Sequence, residues 1–464
     1  MERQEKSLKK ILGRGDLFSM AVGQIIGAGV MSLCGVAIGM TGTGVVLAFV
    51  LAAVISCTSL LPAAQVAAAC PTTGGTYRYP SRLLGAKAGF FEVMVYILCQ
   101  ITVSMYAITF ATYFQDLVPG INLKLVALSI LTIIFVTNIL GTKNAAIVQK
   151  ILVIALIAGL GSFILFGLVE VNYNYVFNPD NLFPNGPRAF LTASALLTFS
   201  TSGAITIAEL GGEAKNPAKD LPIAMIGSTL FVGVLYALIS LVASGVLPWE
   251  EVADQPLSLV AAEILPRPFF YVFLIGGALG ATATTLNATF SWVTKPVMIA
   301  CEDGWFPKRL ANVNHKFGTP HYLILIFYVV GVIPIVLDIS LNTIATIGSG
   351  LGCVYQAMAP LSAVFLIKKY PQAYQNSKFK LSPKMIPVFA VFAFTLLVVQ
   401  AILLISDLTA MAAAFSLLYL IFSVILAFVL ERKRNIKIPA DLDENINSRK
   451  MNESKNGGMQ DDRN

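Results

Sequence analysis

Charged residues are scarce in this sequence. Asp, Glu, Lys and Arg make up 12% of its 464 residues, whereas a soluble globular protein carries about 25%. Apolar residues account for 56% of the chain, and the mean hydropathy is +0.76. Because a soluble protein of this length needs a polar surface that so few charges cannot supply, the composition excludes a soluble globular fold. It predicts an integral membrane protein.

Histidine and paired cysteine are also nearly absent. The two histidines, His315 and His321, lie in one polar loop, and the six cysteines show no spacing typical of a zinc site or a redox dithiol. We therefore expect no metal, no cofactor and no disulfide scaffold. A multi-span membrane enzyme needs clustered His, Asp or Cys at membrane depth, and a receptor needs a sizeable domain outside the membrane. Neither feature is visible, so both classes are remote alternatives.

Runs of about 20 apolar residues predict transmembrane helices. A basic N-terminal stretch, 1–16, precedes the first run, and the tail at 432–464 is too polar to fold, so we predict that it is disordered. Between them the sequence predicts an all-α membrane protein with twelve spans, which we name segments 1 to 12. Their ranges are 17–40, 43–69, 86–117, 122–140, 146–169, 187–211, 221–246, 268–301, 321–337, 341–367, 385–406 and 408–431.

Lys and Arg are distributed unevenly among the connecting loops. Twelve spans place both termini on one side of the membrane, and 29 of the 32 Lys and Arg residues then fall on that side. Because such residues concentrate in cytoplasmic loops, we expect a multi-pass plasma-membrane protein with both termini in the cytoplasm. The net charge of +7 then faces anionic lipid of the bilayer, and we expect no nucleic-acid partner.

Segments 1 and 6 each carry a stretch that is unusual for a membrane helix. Residues 23–30, GQIIGAGV, hold three glycines in seven positions, and residues 198–204, TFSTSGA, hold four hydroxyl residues and a glycine. Such glycines can also serve close helix packing. Two interruptions at similar depth instead favour a transporter with inverted repeats, in which a pair of discontinuous helices forms the binding site.

An unwound turn exposes backbone groups that need a partner inside the hydrocarbon. The half-helix that begins near Gly27 presents free N–H groups and the positive end of its dipole, which suit a carboxylate. Carbonyl groups freed near Ile25, Phe199 and Ser202 suit an ammonium group. These two chemistries together predict recognition of an amino acid.

Four motifs resemble the amino acid–polyamine–organocation (APC) superfamily of permeases. Besides the glycine-rich segment 1, they are PTTGGTYRY at 71–79, EAKNPAKDLP at 213–222 and EDGWFPK at 302–308, in the family's order and spacing. The resemblance implies a five-plus-five inverted repeat, in which broken helices 1 and 6 line a central site. Segments 1 to 5 (17–169) and 6 to 10 (187–367) form the two repeats in such a fold, and segments 11 and 12 (385–431) are peripheral.

The resemblance also implies roles for individual residues. Ser104 in segment 3 and Thr289 in segment 8 are candidates for contacts with the substrate side chain, with plain helix packing as the alternative. Phe199 is either a gate over the site or a core aromatic residue. The residues implied to hold the substrate's carboxylate and amine are Ile25, Gly27, Ala28, Gly29, Phe199, Ser202 and Gly203.

Two features of related transporters are missing. Proton-coupled and L-type members keep a lysine in segment 5, where this chain has Leu156. The arginine–agmatine exchanger has a glutamate where this chain has Ile205, so no acidic partner for a cationic side chain is evident. The hydroxyls of Thr284 and Thr285 in segment 8 offer an alternative coupling site, for sodium.

Ionisable residues inside the predicted spans are few. Lys295 near the cytoplasmic end of segment 8 has the same expected depth as Glu209 and Glu213. We predict an inner-gate ion pair between Lys295 and one of these glutamates, with a snorkelling surface charge as the alternative. Glu209 is also a candidate proton carrier.

The sequence therefore predicts a secondary transporter that moves amino acids by alternating access. A polyamine permease or an amino acid/amine exchanger is the alternative, since the family contains both. L-type members join a glycoprotein partner through a cysteine between helices 3 and 4. The corresponding stretch here, 115–124, has no cysteine, so we expect no such partner. The oligomeric state stays open.

Overall fold

The computed structural model describes residues 12–72, 74–140, 145–211, 214–314, 317–434, 436 and 438. Within these ranges the regular elements are helical, apart from one isolated bridge between Leu12 and Ala214. The α-helices are α1 (Arg14–Ile25), α2 (Ala28–Thr41), α3 (Val45–Ala69), α4 (Gly75–Tyr79), α5 (Ala86–Cys99), α6 (Thr102–Leu117), α7 (Leu123–Leu140), α8 (Ala145–Glu170), α9 (Tyr173–Val176), α10 (Pro179–Leu182), α11 (Gly186–Thr201), α12 (Pro217–Gly245), α13 (Trp249–Val252), α14 (Ser258–Ile264), α15 (Arg267–Val272), α16 (Gly280–Trp292), α17 (Thr294–Glu302), α18 (His321–Val336), α19 (Leu341–Ser362), α20 (Leu366–Lys369), α21 (Pro371–Asn376), α22 (Met385–Ser406) and α23 (Ala410–Arg434).

Nine helical stretches in the described ranges are long and apolar enough to cross a membrane. Two further apolar helices, Ile154–Glu170 and His321–Val336, are shorter. This is the architecture of a multi-pass helical membrane protein, while the count of twelve spans and the inverted repeat stay predictions. The nine stretches are Gly29–Ala69, Ala86–Leu117, Leu123–Leu140, Gly186–Glu209, Pro217–Gly245, Arg267–Glu302, Leu341–Lys369, Met385–Ser406 and Ala410–Arg434.

Segments 3 and 8 contain changes of helix type that their apolar runs do not reveal. In segment 3, α5 ends at Cys99 and α6 begins at Thr102. In segment 8, a π-helical stretch, Phe273–Leu279, joins α15 to α16 and packs on α8. A methyl group added to Gly159 of α8 would lie 3.1 Å from the Cα atom of Gly277. Glycines at this contact therefore allow the two backbones to approach closely.

Segments 1, 6 and 8 meet around the predicted interruptions. α2 packs against α11 and α16, and α1 packs against α12 and the 3₁₀ helix Gly203–Glu209 of segment 6. Contacts also join α3 to α12 and α6 to α16. These contacts join segment 1 to segment 6, segment 2 to segment 7 and segment 3 to segment 8. The predicted inverted repeat would relate the same pairs of segments.

The two helices predicted to be peripheral differ in their contacts. α23 packs mainly on α5 and leaves much of its apolar surface exposed, as a lipid-facing helix does. α22 instead packs along α19, α3 and α11. The Gln400 amide of α22 donates a hydrogen bond to the Thr198 hydroxyl of segment 6 (2.9 Å). Segment 11 therefore reaches the neighbourhood of the candidate site.

The connection between segments 7 and 8 packs along α2. The Asp254 N–H donates to the Gly35 carbonyl (2.9 Å). The Tyr113 hydroxyl donates to the Met31 carbonyl (3.1 Å) and accepts from the Leu257 N–H (3.1 Å). These bonds fix the connection against α2 and α6, beyond the interruption of segment 1.

Candidate substrate site

Segment 1 is interrupted at Ile26 and Gly27. α1 ends at Ile25 and α2 begins at Ala28; the two residues between them have non-helical backbone angles (φ −77°, ψ 79° and φ −133°, ψ −143°). The Gly27 N–H turns back to the Ile25 carbonyl (2.9 Å). The structure thus places the N-terminus of α2 at the position that the glycine pattern predicts.

Neighbouring side chains leave no room for larger residues at this interruption. A methyl group on Gly27 would overlap the Thr285 hydroxyl of α16. On Gly29 it would lie 2.9 Å from the Ser200 hydroxyl and 3.1 Å from the Ser200 Cα atom of α11. Both glycines are therefore required by close approach, and segments 6 and 8 hold the interruption from two sides.

Segment 6 changes helix type instead of unwinding. α11 ends at Thr201, and after Ser202 (φ −91°, ψ 0°) the chain continues as the 3₁₀ helix Gly203–Glu209. Gly203 lies against segment 1, since a methyl group there would come within 3.2 Å of the Gln24 carbonyl. The hydroxyl-rich stretch therefore marks a real irregularity, although its backbone groups stay largely hydrogen-bonded.

The carbonyl groups predicted to hold an amine already accept hydrogen bonds in this conformation. The Ile25 carbonyl accepts from the Tyr236 hydroxyl of α12 (2.6 Å). The Phe199 carbonyl accepts from the Ser202 hydroxyl (3.3 Å), and the Ser202 carbonyl accepts from the Ile205 N–H (3.2 Å). A substrate amine would have to share or replace these donors.

The Ser200 hydroxyl is buried and lacks a hydrogen-bond partner among the described residues. It lies next to Gly29, near the first turn of α2. A buried hydroxyl without a partner costs about 1–3 kcal/mol, so this group has unused hydrogen-bonding capacity beside the positive end of a helix.

Half-buried and aromatic side chains form the rest of the surroundings of the interruptions in segments 1 and 6. The Phe199 ring contacts segment 10 at Gly352, where an added methyl group would lie 3.5 Å from the ring. The Trp292 ring nitrogen donates to the Gln24 side chain (3.1 Å). The Tyr96 ring lies 6.2 Å from the Trp292 ring and 5.5 Å from the Tyr355 ring.

The predicted side-chain contacts Ser104 and Thr289 are both buried and bonded to their own helices. The Ser104 hydroxyl donates to the Ile101 carbonyl (2.5 Å), at the junction of α5 and α6. The Thr289 hydroxyl donates to the Thr285 carbonyl (2.8 Å). Thr284 and Thr285 both donate to the Ala281 carbonyl (2.9 Å each). These local bonds fit the helix-packing alternative, and any role in substrate or sodium binding stays a prediction.

The loops after segments 2 and 8 are brought together by a buried ion pair. The Arg82 guanidinium binds the Asp303 carboxylate through two bonds (2.8 and 3.1 Å), and both side chains are 7% exposed. The Tyr77 hydroxyl donates to the same carboxylate (2.7 Å). Burial and the nearby Asp303 charge raise the pKa of the Tyr77 phenol, so this hydroxyl remains a donor at physiological pH.

Glu209 lies at the end of segment 6 beside these loops. One of its carboxylate oxygens accepts from the Thr76 N–H (3.0 Å), and its charge interacts with those of Lys295 and Arg78. The predicted ion pair of Lys295 with Glu209 stays a prediction. Glu213, the other predicted partner, lies outside the described residues.

Comparison with known proteins identifies the family. The amino acid permease family model matches residues 12–430, which are most of the chain. This chain belongs to the amino acid permease family. The resemblance to APC permeases drawn from four short motifs is thereby confirmed over nearly the whole sequence.

Individual relatives of this permease differ in what their names say they carry. The branched-chain amino acid permease BcaP of Bacillus subtilis is 31% identical over 343 residues, which are 68% of this chain and 72% of BcaP. The serine/threonine exchanger SteT of Bacillus subtilis is 25% identical over 380 residues, 80% of this chain and 86% of SteT. The vacuolar cationic amino acid transporter 4 of Arabidopsis thaliana is 28% identical over 340 residues, 68% of this chain and 56% of that protein.

Sequence reasoning missed several residues that surround the permease's interrupted helices. Gln24 and Ser200 lie inside the two marked stretches, so their polarity was a usable signal. Tyr236, Tyr96 and Tyr355 gave no such signal, because an isolated tyrosine in an apolar run looks like packing. Their placement depends on helices that are distant in the chain.

Proposed function

We propose that this permease is a secondary transporter for neutral amino acids, with the substrate bound at the interruption of segment 1. The observation that carries this proposal is the N-terminus of α2, which opens at Gly27 between two polar hydroxyls. Thr285 lies on one side and the unpartnered Ser200 on the other. Membership of the amino acid permease family supports amino acid transport as the general activity.

The substrate carboxylate would bind at the first turn of α2. Backbone N–H groups of Gly27, Ala28 and Gly29 lie at the positive end of this helix, which favours an anion. Ser200 adds a hydroxyl that can donate to the same carboxylate. Segments 1 and 6 would then share one ligand group, and its binding would depend on their relative position.

The amine would bind by exchanging hydrogen bonds with the protein. The carbonyls of Ile25, Phe199 and Ser202 accept from protein donors in the unliganded structure. An ammonium group is a stronger, charge-assisted donor than a hydroxyl, so it can replace Ser202 or share a carbonyl with Tyr236. When no substrate is bound, the protein's own hydrogen bonds to these carbonyls would keep the interruptions of segments 1 and 6 stable.

Neutral substrates are favoured because the side chains placed against the interruption carry no charge. Gln24, Ser200, Tyr236 and Thr285 are all uncharged at neutral pH, and Ile205 occupies the place of the exchanger's glutamate. A lysine, arginine or diamine side chain would therefore leave its charge without a partner at this depth, which costs several kcal/mol.

Alternating access gives a role to the two ends of the site. The connection bonded to α2 through Asp254 and Tyr113 covers the predicted outer end. Towards the predicted cytoplasmic end, Gln24, Thr206 and Trp292 are only half-buried. We propose that this conformation faces the cytoplasm and that Phe199, half-buried beside Gly352, acts as the gate over the substrate.

A second gate element is proposed at Lys295 and its glutamates. Lys295 interacts with Glu209 across segments 6 and 8, so separating the two segments would weaken that attraction. Replacing Lys295 with alanine should slow transport at least several-fold if the pair closes the site. Uptake at the wild-type rate by Lys295→Ala would remove the gate from the proposal.

Counterflow in proteoliposomes tests the proposed function. Vesicles containing the purified chain are preloaded with one unlabelled amino acid, and entry of the same radiolabelled compound is followed. The panel should include leucine, valine, serine, threonine, arginine, lysine and putrescine. We expect rapid entry of at least one neutral amino acid and little entry of the cations. Entry of putrescine or arginine alone would favour the amine exchanger instead.

A further inference from the structure

Gln400 is a buried polar residue in a helix that is otherwise strongly apolar. It is the only amide among the 22 residues of α22, which include no charged side chain. Its side chain is buried, because α22 packs along α19, α3 and α11. A buried amide without hydrogen-bond partners costs several kcal/mol in such surroundings. Its presence therefore indicates a specific contact.

Both ends of the Gln400 amide have partners. Its NH₂ group donates to the Thr198 hydroxyl of α11 (2.9 Å), and its oxygen accepts a weak bond from the Cys353 thiol of α19 (3.9 Å). The Thr198 hydroxyl uses its own proton to bond the Ser194 carbonyl (2.9 Å), which leaves its oxygen free to accept from the amide. The Gln400 side chain therefore joins segment 11 to segments 6 and 10.

The last turn of α11 places four consecutive residues against four different segments. The Thr198 hydroxyl bonds to segment 11, and the Phe199 ring lies against segment 10. Ser200 lies against segment 1, and the Thr201 hydroxyl bonds to Ser56 of segment 2 (2.7 Å). Successive residues of an α-helix point about 100° apart. These four residues therefore cover most of the circumference of the turn, and each has its own neighbour.

Rotation of this turn about its axis would move Phe199 and Ser200 together. Phe199 is the proposed gate, and Ser200 is a proposed ligand of the substrate carboxylate, so both roles depend on the angle at which the turn is held. Among the described residues, hydrogen bonds to other segments hold the turn on two sides, from Gln400 and from segment 2. Without Gln400 the segment 2 side alone would be bonded.

We propose that Gln400 is a positioning residue of the substrate site. Through Thr198 it holds the last turn of α11 at the angle that presents Ser200 and Phe199 to the substrate. Segment 11, which the family resemblance treats as peripheral, then helps to set substrate affinity. This inference rests on the proposed function and adds to it a residue outside both predicted repeats. The competing explanation is helix packing alone, in which the amide stabilises the fold without affecting the substrate.

Counterflow by a Gln400→Leu variant in proteoliposomes tests the inference. Leucine keeps much of the side-chain volume and removes both hydrogen-bonding groups. The initial rate is measured against the concentration of the neutral amino acid that the wild type exchanges fastest. We expect the KM to rise about fivefold, which corresponds to the loss of one buried hydrogen bond. The maximal rate should stay within about twofold of wild type, because the change affects binding.

Gln65→Leu is the matched control. Gln65 is a buried amide of α3, and its oxygen accepts from the Leu381 N–H (2.8 Å) in the connection between segments 10 and 11. No residue of the candidate site takes part in this contact. Gln65→Leu should lower the melting temperature, because it leaves a backbone N–H without its partner, and it should leave the KM unchanged.

A double-mutant cycle connects the effect to the bond itself. Thr198→Val removes the acceptor with little change in shape and should raise the KM by a similar factor. If both residues act through one bond, Gln400→Leu combined with Thr198→Val raises the KM no further than either substitution alone. Independent effects would multiply to about 25-fold, and that result would overturn the inference.

Other outcomes also decide the matter. An unchanged KM in Gln400→Leu, with or without a lower melting temperature, would assign Gln400 to packing alone and overturn the inference while the proposed function stands. An equal rise of the KM in Gln65→Leu would show general loosening and overturn it as well. Should Gln400→Leu not fold, the KM of Thr198→Val decides in the same way. If the wild type shows no counterflow with any amino acid, the proposed function fails and the inference fails with it.

Discussion

Tyr236 connects segment 7 to the interruption of segment 1 through a single hydroxyl. Its bond to the Ile25 carbonyl is 2.6 Å long and fully buried. Tyr236→Phe removes this donor, which should cost about 1 kcal/mol. It should also change substrate affinity at least several-fold, because the same carbonyl is a proposed ligand of the amine. Counterflow at varied substrate concentration and thermal unfolding in detergent measure the two effects.

Tyr419 offers a control for this substitution. Its hydroxyl donates to the Met94 carbonyl (2.7 Å) from α23, far along the chain from the interruption. Tyr419→Phe makes the same chemical change and should leave substrate affinity unchanged. Equal substrate affinity in Tyr236→Phe and Tyr419→Phe would show that Tyr236 does not take part in substrate binding.

The sequence predicts some of the individual residues around the interruption of segment 1 and not others. The glycines of segment 1 were predictable, because three of them in seven residues have no purpose in a plain lipid-facing helix. Tyr236 was not, since its partner is 211 positions away and nothing local marks the pair. The predicted amine ligands Ile25, Phe199 and Ser202 lie at or near the ends of α1 and α11, and their binding of an amine stays a prediction. Their protein donors could not be foreseen.

The contact between the loops after segments 2 and 8 depends on Arg82 and Asp303. Both side chains are 7% exposed, and the pair has two hydrogen bonds. Asp303→Asn leaves a buried arginine without its counter-charge, which should cost about 3–5 kcal/mol. Thermal unfolding in detergent should show a clear decrease in the midpoint, and the transport rate should fall because these loops border Glu209.

Lys124 and Asp338 form the matching exposed pair. Their side chains are 38% and 75% exposed, and their contact is 2.7 Å. Asp338→Asn should therefore cost about 0–1 kcal/mol and leave transport unchanged. Similar losses for Asp338→Asn and Asp303→Asn would mean that burial of the Arg82 pair contributes little.

The helical elements were largely predictable, and their interruptions only in part. Each of the twelve apolar runs contains one or more helices within the described residues, because runs of this length have few other solutions in a membrane. The hydroxyl-rich stretch correctly marked segment 6 as irregular. It did not reveal a 3₁₀ helix, because 3₁₀ and unwound turns accept the same small polar residues. The π-helical stretch in segment 8 depends on close packing with α8, which apolar periodicity does not encode.

The distribution of positive charge sets the expected orientation of the whole molecule. Because 29 of the 32 Lys and Arg residues lie on one side of a twelve-span topology, that side should be the cytoplasm. In a variant without native cysteines, Glu250→Cys should react with an impermeant maleimide added to intact cells. Lys308→Cys should react only after permeabilisation. The opposite pattern would reverse the orientation, and reaction of both in intact cells would contradict the span count.

For the whole molecule, the membrane class and the family could be predicted from the sequence. Composition alone excluded a soluble fold, and four short motifs indicated the family that matches residues 12–430. The packing of segments 1, 6 and 8 was expected only through that resemblance. Hydropathy predicts where the chain crosses the membrane but not which crossings are neighbours, because lipid-facing and buried helices have similar composition here.

Substrate counterflow by a Gly27→Ala variant is the most direct test of the central claim. The added methyl group collides with Thr285 and moves the first turn of α2. Gly161→Ala is the control, because a methyl group there meets no atom within 4 Å. The account predicts that Gly27→Ala loses at least 90% of counterflow while Gly161→Ala retains it. Equal counterflow by the two variants would show that the substrate is not bound at the interruption of segment 1.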